Sequence, residues 1–145
     1  MKKVLFLCTG NYYRSRLAEE YFNHLAELHS LEFKAISRGI SQDLESNGNI
    51  GNLASEVVEI LDGINIKCHT QGRKPQSVVR SELSESDFVF ALDADEHEPM
   101  INSNFSEYSA KVRYLTVGDV HVEPIYVAVV KLVKQVEEVF KSLQG

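Results

Sequence analysis

Val4-Leu5-Phe6-Leu7-Cys8-Thr9-Gly10-Asn11-Tyr12-Tyr13-Arg14-Ser15 is the stretch that decides the reading of this 145-residue chain. Four apolar residues running into a cysteine predict a buried strand over Val4 to Cys8, and the residues after it predict a short turn and a helix from about Ser15. Such a turn wraps backbone N–H groups around the Cys8 sulfur and aims a helix N-terminus at it, which suits a tetrahedral dianion. A free thiol has a pKa of ~8.5, and aligned amides, a helix N-terminus and a nearby cation all favour its thiolate. Arg14 supplies that cation as a planar fork able to hold two phosphate oxygens at once, and Ser15 can donate its hydroxyl to the Cys8 sulfur. The bland reading makes Cys8 a strand residue, Arg14 a surface charge and Ser15 an N-cap. With six arginines, fourteen serines and two cysteines in the chain, this spacing arises by chance in roughly one chain per hundred, so the chemical reading leads.

Outward from this segment, strands alternate with helices. Leu17, Tyr21, Leu25 and Leu28 recur at helical spacing, so the first helix runs from about Ser15 to Leu28. Phe33 to Ser37 reads as a second strand, and Gly39 to Gly51, rich in Ser, Asn and Gly, as a long loop. Leu53, Val57, Ile60, Leu61 and Ile64 mark a helix that stops at Gly63. Asp87 to Leu92 is an apolar run of the kind buried in a parallel sheet, and Val112 to Thr116 is a shorter fourth strand. Pro124 opens a last helix on which Val129, Val133, Val136, Phe140 and Leu143 recur every three or four residues. The expected fold is α/β: three layers, a four-stranded parallel sheet with helices on both faces. Ligands of such sheets sit beyond the carboxyl ends of the strands, where the Cys8 loop, the Gly39 loop, Asp93 and the Asp119 to Pro124 segment gather.

Composition bounds the rest. Residues 1–145, 43% hydrophobic, make one domain large enough to bury a core. Two distant cysteines are no disulfide framework, and a catalytic thiol needs reducing surroundings, so a cytoplasmic location is expected. Met1-Lys2-Lys3 and the apolar run after it are too short for a signal peptide, and no stretch is long enough to span a membrane. A net charge of -6 without a basic stripe argues against nucleic acid as partner.

Cys8, Gly10, Asn11, Arg14 and Ser15 fit the pattern Cys-x-Gly-Asn-x-x-Arg-Ser position for position, and on them the chain resembles the low-molecular-weight protein tyrosine phosphatases and the related thioredoxin-coupled arsenate reductases. Ile36-Ser37-Arg38-Gly39, Ala54 to Asn65 and Phe90-Ala91-Leu92-Asp93 resemble further segments of that family, so the likeness covers nearly the whole chain. The resemblance implies a phosphotyrosine phosphatase I-like fold and a phosphatase that hydrolyses phosphotyrosine-type monoesters through a phosphocysteine on Cys8. It implies no metal and no other cofactor. The partners it implies are a phosphotyrosine protein or a small aryl phosphate, with inorganic phosphate as product, and neither nucleic acid nor membrane. Thr9, Gly10, Asn11, Tyr12, Tyr13 and Arg14 would cradle the phosphate, with Ser15 serving the sulfur.

The family's general acid is an Asp in an Asp-Pro pair before the last helix. Glu123-Pro124 occupies that place here, with the carboxyl about one methylene further out, a displacement near the ~1 Å that catalytic geometry tolerates poorly. Glu123 is therefore the first candidate and Asp119 the alternative. Tyr13 stands where many members carry a second cysteine, and Arg16 stands where Pro is usual, adding positive charge close to the anion site. Tyr12 and Tyr13 either stack on an aromatic substrate or pack against the scaffold. The resemblance implies an aromatic substrate wall on the Gly39 to Gly51 loop, which has no aromatic residue here, and two aromatics just after the Asp-Pro place, where Ile125-Tyr126 stands, so Tyr12 and Tyr126 are the expected wall. His24 and His29 read as surface residues. His97 among Asp93, Asp95, Glu96 and Glu98, and His121 near Glu123, read as solvated loop positions in preference to a metal cluster. Two other classes stay open: an arsenate reductase, for which Cys68 alone is available as resolving thiol, and a phosphate or phosphoprotein-binding module, which the Glu123 departure favours.

Overall fold

The computed structural model describes residues 1–119 and 124–144. In chain order its elements are strand β1 (Lys2–Cys8), helix α1 (Arg14–Leu28), β2 (Phe33–Gly39), α2 (Ser55–Gly63), α3 (Arg80–Glu85), β3 (Phe88–Ala91), α4 (Ala94–Asn104), β4 (Val112–Tyr114) and α5 (Ile125–Gln144), with single 3-10 turns at Glu45–Asn47 and Ser106–Tyr108. The sheet order is β2-β1-β3-β4 and every pairing is parallel. The expected α/β architecture is the one observed.

Alternation along β1 divides the core in two. Successive side chains point to opposite faces of a strand. Val4 and Phe6 pack with Leu17 and Phe22 of α1, Val57 and Leu61 of α2, and Leu132, Val136 and Phe140 of α5. Leu5 and Leu7 face the other way, against Leu83 of α3, Ile101 of α4 and Phe105. Three helices on one side and two on the other make the layers. Of the stripe expected on α1, Leu17 and Tyr21 are buried while Leu28 lies in solvent. Among the described residues no helix is long and apolar enough to cross a membrane.

Two helices depart from the sequence reading. Residues 93–98 form no solvated acidic loop: Asp93 caps α4 by accepting from the Glu96 N–H, and His97 is fully buried inside that helix. Pro99 within the helix and a buried face of only His97 and Ile101 leave no apolar period to detect. α3 is a six-residue helix with Leu83 alone buried, held at its start by the Glu82 carboxylate accepting from the Val79 N–H at 3.1 Å. The loop after β2 also contains a turn of 3-10 helix, and α5 begins at Ile125 with the Pro124 carbonyl accepting its first bonds.

The chain leaves β1 toward β2 on one side and places β3 on the other, so the strand order reverses at β1. A crevice opens at the carboxyl ends on either side of such a reversal. Cys8 is the last residue of β1. Phe22, fully buried with its ring 5.4 Å from Phe140, 5.7 Å from Phe6 and 6.0 Å from Phe33, joins α1, α5 and the sheet. Phe22→Ala is expected to lower stability by about 3–5 kcal/mol in urea or guanidinium unfolding; a loss below about 1 kcal/mol would show that the cluster closes over the gap.

Candidate active site

Cys8 pairs with Gly39 at the end of the β1–β2 ladder, and the five residues after it turn directly into α1. A cleft of about 250 Å³ opens over this turn. Its floor is Cys8, Thr9, Gly10, Tyr12, Tyr13 and Arg14, and Asn47, Asn49 and Asp119 form the rest of its wall. Asn11 occupies the left-handed region at φ 50, where an Asn is tolerated when its side chain is bound locally. That condition is met: Asn11 Nδ2 donates to Ser15 Oγ at 2.9 Å and to Ser37 Oγ at 3.0 Å, and Oδ1 accepts from the Gln76 N–H at 3.0 Å. Beneath it, Ser37 donates to Glu19 at 2.7 Å, and Arg73 meets both Glu19 oxygens at 3.0 and 2.7 Å.

Ser15 is fully buried, with Oγ 3.0 Å from the Cys8 sulfur. The neighbouring strand approaches closely enough that the Ile40 and Ser41 N–H groups bond the Cys8 and Thr9 carbonyls at 2.8 and 3.1 Å. Gly39 permits this approach, because a Cβ there would stand 2.9 Å from the Thr9 carbonyl oxygen and 3.3 Å from the Asn11 nitrogen.

Arg14, only 4% exposed, donates from Nη1 to the Val117 carbonyl at 3.0 Å and from Nη2 to Glu96 Oε2 at 2.7 Å; Asp119 Oδ2 lies 3.8 Å from the same Nη2. Burial works against its charge, but Cys8, Glu96 and Asp119 together raise its pKa. Burial would likewise push Glu96 up, yet contacts from His97, Arg14 and Thr9 hold its carboxyl well below the usual carboxylate range. The Tyr13 phenol is pushed up to about 12, by burial first and then by Glu56, so it stays neutral.

Residues 3–127 match the family described as low molecular weight phosphotyrosine protein phosphatase. The chain belongs to that family. Phosphatase is the function that membership carries. It is 32% identical over 110 residues to a protein-arginine-phosphatase of Bacillus subtilis, covering 75% of this chain and 67% of that protein. It is 37% identical over 100 residues to the low molecular weight protein-tyrosine-phosphatase YfkJ of the same organism, covering 66% of this chain and 58% of that one. The crystal structure of YfkJ superimposes with a TM-score of 0.84 at 26% identity, covering 99% of this chain and 95% of that chain.

Within this member of the family, the residues named from sequence fall into three groups. Cys8, Thr9, Gly10, Tyr12, Tyr13, Arg14 and the alternative acid Asp119 all face the cleft. Asn11 and Ser15 lie behind it, fully buried. Glu123 and His121 lie outside the described residues, and Tyr126, 70% exposed on the first turn of α5, is not among the residues that line the cleft. Tyr12 is tied by its hydroxyl to the Ile50 carbonyl at 2.5 Å. Arg16 corrects the expectation of added charge at the anion site: its guanidinium turns inward and donates to the carbonyls of Asn11, Asn52, Thr70 and Arg73 at 2.7 to 3.3 Å. Burial, and Arg73 beside it, pull its pKa down. Cys68 donates to the buried Glu20 at 3.2 Å and is not part of the cleft.

Sequence reasoning passed over Glu96, Asn47 and Asn49. The only signal for Glu96 was the apolar strand ending at Leu92, which puts the residues just after it at the carboxyl edge of the sheet. Among the described residues no group of three or more His, Cys, Asp or Glu is arranged to hold a metal ion. Gly39→Ala is expected to displace the Thr9 to Asn11 backbone and cut kcat by about 100-fold, as misplacements near 1 Å do, while circular dichroism stays native. Wild-type turnover in that variant would mean that the loop yields freely.

Proposed function

We propose that residues 1–145 act as one domain hydrolysing phosphotyrosine-type monoesters of proteins, with Cys8 as nucleophile. The observation that carries this reading is the meeting of the Cys8 thiol and the Arg14 guanidinium on one small cleft, with Ser15 Oγ 3.0 Å from the sulfur. Cys8 thiolate attacks phosphorus in line; the S–P bond forms as the P–O bond to the phenol breaks, and a carboxylic acid gives its proton to the departing oxygen. Water then attacks the phosphocysteine, its proton goes back to the carboxylate, and the sulfur leaves with inorganic phosphate as the product. Arg14 and the loop amides hold the equatorial oxygens throughout.

For the acid we favour Asp119, which supports the role by standing on the cleft wall 3.8 Å from Arg14 Nη2. Glu123, next to Pro124, is the alternative. The substrate wall in this reading is Tyr12, with Tyr13 beside it. A reduced Cys8 fits a reducing compartment such as the cytoplasm.

A second substrate, phosphoarginine, is favoured by the amides of Asn47 and Asn49, on the loop that carries no aromatic residue, and by the carboxylate of Asp119 on the same cleft. The likeness to a protein-arginine-phosphatase points the same way. Hydrogen-bond acceptors around the leaving group suit a guanidinium better than a phenyl ring.

Hydrolysis of p-nitrophenyl phosphate, a phosphotyrosine peptide and a phosphoarginine peptide tests the proposal. Cys8→Ser is expected to abolish turnover of all three, and survival of activity would remove Cys8 from its role. Asp119→Asn should cut kcat on phosphotyrosine peptide by about 10²- to 10⁴-fold, with Glu123→Gln close to wild type; the opposite pattern transfers the acid to Glu123. The ratio of kcat/KM for the two peptides decides between the substrates. Inorganic phosphate should also protect Cys8 from iodoacetate, and equal alkylation rates with and without phosphate would contradict a shared pocket.

A further inference from the structure

Arg14 carries five N–H donors on a flexible stem, so its orientation depends on what holds its head. The Val117 carbonyl takes one donor at 3.0 Å and Glu96 Oε2 takes another at 2.7 Å. The same Glu96 oxygen accepts from Thr9 Oγ1, the first side chain after Cys8. One carboxylate oxygen therefore joins the guanidinium to the start of the phosphate loop.

α4 fixes this carboxylate in turn. Asp93 Oδ2 accepts from the Glu96 N–H at 3.3 Å, and His97 Nδ1 accepts from the Asp93 N–H at 3.0 Å. His97 is fully buried, and its Nε2 comes within 3.2 Å of Glu96 Oε2 without the alignment of a directed hydrogen bond. Electrostatically the arrangement is costly for binding, because a carboxylate beside an anion cleft repels a phosphoryl dianion. Its benefit lies in geometry, since a guanidinium tied at two of its donors is fixed in orientation, and with it the directions of the donors left over.

We propose that Glu96 is a positioning residue for phosphoryl transfer, holding Arg14 so that its remaining N–H groups meet the transferring phosphoryl and anchoring Thr9 at the head of the loop. This rests on Cys8 and Arg14 being the nucleophile and the phosphoryl clamp. Glu96 itself touches no substrate atom; it acts through Arg14.

The test is a double-mutant cycle of Glu96→Gln and Arg14→Lys, read by turnover of p-nitrophenyl phosphate and by phosphate protection of Cys8 from iodoacetate. Glu96→Gln is expected to lower kcat by about 10- to 100-fold while the half-protecting phosphate concentration rises by no more than about threefold, because a repelling charge leaves together with the orientation. In the Arg14→Lys background the same change should cost less than about twofold. A kcat within twofold of wild type, an equal loss in both backgrounds, or phosphate affinity falling in step with kcat overturns the proposal. A second readout does not depend on turnover: the Arg14 Nε–H signal in nitrogen-15 NMR, identified by its loss in Arg14→Lys, should shift and broaden in Glu96→Gln. Should the wild-type protein prove inert, the phosphatase reading falls, and an unmoved Arg14 signal still refutes the role of Glu96 while a broadened one upholds it. If Glu96→Gln does not fold, Glu96→Asp, which withdraws the oxygens by one methylene, is read in the same way.

Discussion

A single left-handed residue, Asn11, is the constraint on which the rest of the site depends. Its backbone turns the chain back between β1 and α1, and its carboxamide holds that turn from three directions, through Ser15, Ser37 and Gln76. Without those bonds a non-glycine residue at φ 50 has little to keep it there. With them, the cysteine at the strand end and the arginine at the helix start face the same cleft. The Glu19 and Arg73 pair beneath Ser37 then fixes the acceptor on which Asn11 rests.

The sheet makes the placement rigid. β1 is the central strand on which both apolar clusters meet, with Val4 and Phe6 on one face and Leu5 and Leu7 on the other, all four fully buried. A strand packed on both sides cannot slip its register without exposing one set or the other. Cys8 therefore inherits its position from a strand buried on both faces, while Asn49 and Asp119 come from segments outside the strands and helices and Asn47 ends a single 3-10 turn. Chemistry sits on the frame and the rim belongs to loops, a division common in proteins that share a reaction and differ in substrate.

Much of this was legible in the sequence for a physical reason: the decisive residues lie within eight positions of one another and announce strand, turn and helix by local rules. The alternation of β1, α1, β2 and α2, and the apolar period of α5, were equally local. What could not be seen depends on contacts between distant residues. Glu96 reads as one carboxylate in an acidic run until the end of β3 carries it to Arg14, 82 positions away in the chain. Arg16 reads as a charge next to the loop, and only the fold supplies the carbonyls of Asn52, Thr70 and Arg73 that draw it inward. α4 was hidden by Pro99 and by a buried face of two residues. Two candidate acids were named, Glu123 first because it precedes Pro124 as the resemblance implies, and Asp119 second because a glutamate sets its carboxyl one methylene further out.

Arg16 carries a consequence beyond the cleft. Its one guanidinium gathers carbonyls from the turn, from the approach to α2 and from the segment before α3, so three stretches far apart in the chain share a single buried knot. Strain introduced at Thr70 or Arg73, on the outer side of that knot, has a direct route to the backbone of Asn11. The Asn11 carbonyl therefore shares its donor with backbone that lies outside the cleft, and the packing of residues 70–73 is part of what holds the turn after β1 in place.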